Sequence, residues 1–141
     1  MQQAVARLRL LLADIESKRQ QLESLARQFR SQLQHVPGQV IYGRASLEMA
    51  LSAMSEIEDR LAATEATLQR LERVRSRVRQ ELEALQLLTQ VDEARKQLSA
   101  LKQRAQDAGQ ADEEVQAEIR HLEEFIAENS QRAGRAITAG E

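Results

Sequence analysis

The chain has no cysteine and no tryptophan, one tyrosine, two phenylalanines and a single proline, Pro37. Each scarcity removes a class of protein. Without cysteine there is no disulfide, no thiol nucleophile and no thiolate metal site, which fits a reducing cytosol without requiring one. Aromatic residues are 2% of 141, so the large side chains that fill a compact globule are missing. The apolar run at 10–13 is too short to span a bilayer and is followed by Asp14 and Glu16 instead of a cleavage site. A soluble, cytoplasmic protein without membrane insertion is expected.

What remains is helical. Ala, Glu, Leu, Arg and Gln dominate, charged residues make up 30%, and the apolar period lies near 3.5, the mark of long helices or coiled coils. Before Pro37, Leu8, Ile15, Leu22, Phe29 and Val36 recur every seven residues, interleaved with Val5, Leu12, Ala26 and Leu33. Beyond it, Leu47, Met54, Leu61 and Leu68 do the same, with Ala50, Ile57, Leu71 and Val78. Folding the chain so that paired numbers sum to 83 sets Leu33 against Ala50, Ala26 against Ile57, Phe29 against Met54 and Ile15 against Leu68. Large often faces small, as in a packed seam. The spacing predicts an all-α fold built on a long antiparallel coiled-coil hairpin.

Helix boundaries follow from breakers and caps. The first helix is expected over 2–36, because proline disfavours helical geometry at the residue before it, Val36. The segment 37–45 then forms the hairpin tip, with Val40, Ile41 and Tyr42 exposed between Gly38 and Gly43. Ser46 is the N-cap of the second helix, expected over 46–108, with Glu48 at the positive end of its dipole. Gly109 stops that helix and Asp112 caps a third, over 112–130.

Near Gln80 the stripe of the second helix changes phase by about 200°. Val91, Ala94, Leu98, Leu101 and Ala105 then face away from the first helix, and Val115, Ile119, Leu122 and Ile126 answer them when paired numbers sum to 220. The expected architecture is a short third helix on the opposite face of an extended central helix, in a single elongated domain over 1–132 with a flexible tail at 133–141.

Around the phase change Leu82, Leu85, Leu87, Leu88 and Val91 surround the helix, and Leu8, Leu10 and Leu11 surround the first helix nearby. Helices apolar all round belong inside larger bundles. Each fully buried leucine contributes roughly 1.5–3 kcal/mol, so these eight residues are the expected interface of a homodimer or higher homo-oligomer. An unknown protein partner on the same surface is the competing occupant. By sequence halves, residues 1–80 carry 13 basic and 9 acidic side chains and the rest 7 and 13, an asymmetry able to orient subunits.

Chemistry is sparse. Arg70, Arg73 and Arg77, within a basic stripe over 70–79, fall on an outer face and are the candidate anion-binding residues, though Glu72, Glu81 and Glu83 are close enough to pair with the stripe. Arg75 and Arg19 sit in the seam, opposite Leu8 and Thr64. Arg19 acts as a register device with Glu16, Glu23 and Glu65 near it. Val40, Ile41 and Tyr42 form a candidate partner-binding tip unless they fold back over the end of the coil. His35 and His121 each stand alone, without metal-ligand spacing. No phosphate loop or nucleophile set is present, so no catalytic residue, cofactor or metal is expected. The sequence points to a non-enzymatic coiled-coil scaffold or adaptor, homodimeric and acting through protein binding; the alternative is a nucleic-acid-associated helical protein using the 70–79 stripe.

Overall fold

The computed structural model describes residues 2–107 and 113–138. They are all-helical, with three helices among the described residues: α1 Gln2–Ile41, α2 Leu47–Asp107 and α3 Glu113–Thr138. An Arg30–Glu65 ion pair joins α1 to α2, and a Lys102–Glu123 pair joins α2 to α3. Among the described residues no helix is long and apolar enough to cross a membrane. The stop expected at Gly109 and the cap expected at Asp112 lie outside the described residues.

Contacts divide the chain into two units, Leu11–Ser76 and Met1–Leu10 with Arg77–Glu141. The first unit holds nine basic and nine acidic side chains and the second eleven and thirteen. The charge asymmetry between sequence halves therefore largely disappears once residues are grouped by contact.

In the Leu11–Ser76 unit, α1 does not stop at Pro37. The proline lies inside the helix, and Val36 before it is helical and buried. Proline removes one amide donor from the ladder, and Pro37 itself is exposed. The true stop is Gly43, whose φ of 72° is the left-handed geometry glycine adopts without cost. Its amide donates to the Val40 carbonyl at 3.1 Å and the Arg44 amide to the Gln39 carbonyl at 2.7 Å, the paired bonds of a Schellman ending. Ser46 then caps α2, its Oγ accepting from the Met49 amide at 3.2 Å.

Helix α1 runs five residues past the end expected at 36. A sum of 83 would put Ala53 opposite Arg30, about 18 Å along α2 from Glu65, yet Arg30 donates to Glu65 at 2.9 Å. Ile15, Arg19 and Glu23 line one groove with Leu68, Leu71 and Arg75. Ile15, Ala26 and Val36 on α1 and Ala50 and Thr64 on α2 are the buried residues of this unit.

In the second unit the core is Val78, Ala84, Val91 and Ala94 on α2 with Asn129 and Ala133 on α3. Ala94 borders Leu122 and Phe125, while Ala105 borders Gln116 and Ile119. The segment expected to be a flexible tail from residue 133 is helical through Thr138, eight residues beyond the expected end at 130. Ala133 is fully buried: it continues the line of Ile126 and Asn129 at three- and four-residue steps, so a small side chain extends a stripe that began with large ones.

Candidate functional site

Three surfaces were singled out by the sequence, and α1 and α2 treat them differently. Of the eight junction residues, Val91 is 1% exposed and hence already covered within one copy. Leu8, Leu82, Leu85, Leu87 and Leu88 are half-buried. Leu10 and Leu11 are exposed, Leu10 to 69%. Ala84, Val91, Asn129 and Ala133 are buried in the unit that also contains Leu82 through Leu88.

The turn between α1 and α2 carries a larger uncovered apolar set. Val40 is half-buried, but Ile41 is 75% and Tyr42 80% exposed, so neither folds back over the coil. Leu47 at 63%, Met49 at 68% and Leu51 at 57% stand beside them. Sequence reasoning placed Leu47 in the seam and passed over Met49 and Leu51. Leu47, the first residue of α2, is exposed and does not lie in a covered seam. Leu47 and Leu51 are one turn apart and lie on one face of α2.

The arginines divide. Arg77 donates through Nη2 to Glu81 at 2.9 Å, one turn along the same helix. Arg70 and Arg73 are exposed. Arg75 is half-buried, lines a groove with Ile15, Leu68 and Leu71, and bonds Glu72 at 3.1 Å.

Arg19 is held from both sides on its own helix. Its guanidinium donates twice to the Glu16 carboxylate, with Nε to Oε2 at 3.0 Å, and through Nη1 to Glu23 at 3.0 Å. The Arg19 hydrogen bond holds the Glu16 carboxyl below its ordinary 4.5 despite partial desolvation, and the charges of Arg19 and Arg75 add to it. The Glu16 bond raises the Arg19 value in turn. Two expected partners are elsewhere: Glu65 bonds Arg30, and the buried Thr64 donates its hydroxyl to the Arg60 carbonyl at 2.9 Å.

Little else offers chemistry. His35 is exposed and its Nδ1 donates to the Ser31 carbonyl at 2.6 Å. His121 lines a groove of about 280 Å³ with Glu93, Ala94, Leu122 and Phe125. Among the described residues no group of three or more His, Asp or Glu is placed to hold a metal ion. The chain matches no protein-family model, no curated protein and no solved structure.

Proposed function

We propose that the chain is a non-enzymatic scaffold or adaptor: α1 and α2 form an antiparallel coiled-coil hairpin, and the protein self-associates and works through protein contacts. The observation that carries this reading is the number of large apolar side chains left uncovered in one copy, Leu10 and Leu11 on α1 and the set around the α1–α2 turn. Clusters of that kind mark interaction surfaces. Sedimentation equilibrium tests it. The parent chain is expected at twice its mass of 16.0 kDa or more, and the double variant Leu85→Asp with Leu88→Asp is expected to shift toward the monomer if the half-buried leucines take part. A parent that stays at the single-chain mass at all concentrations removes self-association.

A second reading, contact with nucleic acid, keeps Arg70 and Arg73, which are exposed and form no ion pair among the described residues. Duplex binding that weakens steeply with salt and is lost in Arg70→Ala with Arg73→Ala supports it. Binding indifferent to salt or to that double variant removes it.

A further inference from the structure

We propose that the turn end of the Leu11–Ser76 unit pairs with the same turn of a second copy, two-fold related, with Arg44 of each copy against Glu48 of the other. The inference rests on the reading that the chain self-associates, and assigns that contact to a surface separate from the junction leucines. Ile41, Tyr42, Leu47 and Leu51 are 57–80% exposed within eleven residues of chain. A large side chain offers on the order of 150 Å², so these four present roughly 400 Å² per copy. A pairing that also buries the rim around them reaches about 1,000 Å² in total, where specific interfaces begin.

Charge selects the occupant. Arg44 and Glu48 are the charged residues of the segment 41–51, of opposite sign and both exposed. Neither forms an ion pair among the described residues. A two-fold contact repeats each contact twice, so one basic and one acidic group per copy satisfy each other in both places. An anionic lipid surface would instead favour an excess of basic groups, and this segment has none. The turn is also well fixed: the Gly43 ending and the Ser46 cap hold Ile41, Tyr42 and Leu47 in place, which lowers the ordering cost of association.

The test uses the full chain in sedimentation equilibrium with Arg44→Glu, Glu48→Arg, an equimolar mixture of the two, and Leu85→Asp with Leu88→Asp. Each single charge reversal sets like charges together twice and is expected to weaken self-association by roughly tenfold or more. The mixture is expected to recover the parent affinity, because each copy then supplies the sign the other lacks. Both charged positions are exposed, and unchanged helical circular dichroism excludes misfolding as the cause. Weakening without recovery in the mixture overturns the two-fold pairing. Reversals that leave the mass unchanged, while Leu85→Asp with Leu88→Asp lowers it, overturn the turn pairing and leave the broader reading standing. A parent that is monomeric throughout overturns both, as does monomeric protein that floats with lipid vesicles through Tyr42.

Discussion

Arg30 of α1 reaches Glu65 of α2 at 2.9 Å, an ion pair that joins the two helices. Both side chains are about half exposed, so the pair contributes about 0.2–1 kcal/mol. A double-mutant cycle with Arg30→Gln and Glu65→Gln is expected to return a coupling in that range, fading in 1 M salt. Its diagnostic value is positional. In the register that sums to 83 these residues are too far apart to couple, so a measurable coupling at low salt excludes that alignment.

The ending of α1 makes opposite demands on Pro37 and Gly43. Gly43 holds φ at 72°, and a methyl group added to its Cα would meet nothing within 4 Å, so Gly43→Ala costs only the left-handed strain, about 1–2 kcal/mol. Pro37→Ala restores an amide to a continuous helix and is expected to raise stability by about 1 kcal/mol or more. Thermal or urea unfolding checks both. A helix that stopped at Pro37 would instead leave Pro37→Ala neutral or harmful.

Why the register escaped the sequence follows from the heptad itself. A slide of seven residues lays apolar stripe on apolar stripe again, because the pattern repeats every seven residues. Only the turn distinguishes the alignments, and Pro37 masked it: two local rules competed, and the glycine ending prevailed. Ser46 was legible because a cap acts within three residues of itself. Exposure of Leu47 was not, since it depends on where α1 ends. The last turns of α3 were hidden for another reason. Asn129 and Ala133 read as polar and small, yet helical spacing keeps them on the buried line of Ile126.

Ala133 therefore separates a packed helix from a loose tail. It is fully buried, and Ala133→Leu forces added volume into that site, an expected loss of about 1–3 kcal/mol. Urea unfolding measures it. A substitution without effect means that residues 129–136 do not pack.

Acid dependence is expected from the Arg19 clamp. The Glu16 carboxyl titrates below its ordinary 4.5 because Arg19 bonds its charged form. In the unfolded chain that bond is absent, so the unfolded state takes up the proton first as pH falls. The stabilisation is accordingly complete above the ordinary value and is lost as pH drops through the lower folded value. Unfolding curves of the parent and of Glu16→Gln are expected to differ at neutral pH and to converge once the pH has fallen below the lowered folded value. Glu23 provides an internal check: it bonds the same guanidinium, so in Glu23→Gln the acid-sensitive part carried by Glu16 persists. A Glu16→Gln difference that stays constant from neutral to strongly acidic pH assigns the effect to packing along α1 and removes the clamp as its source.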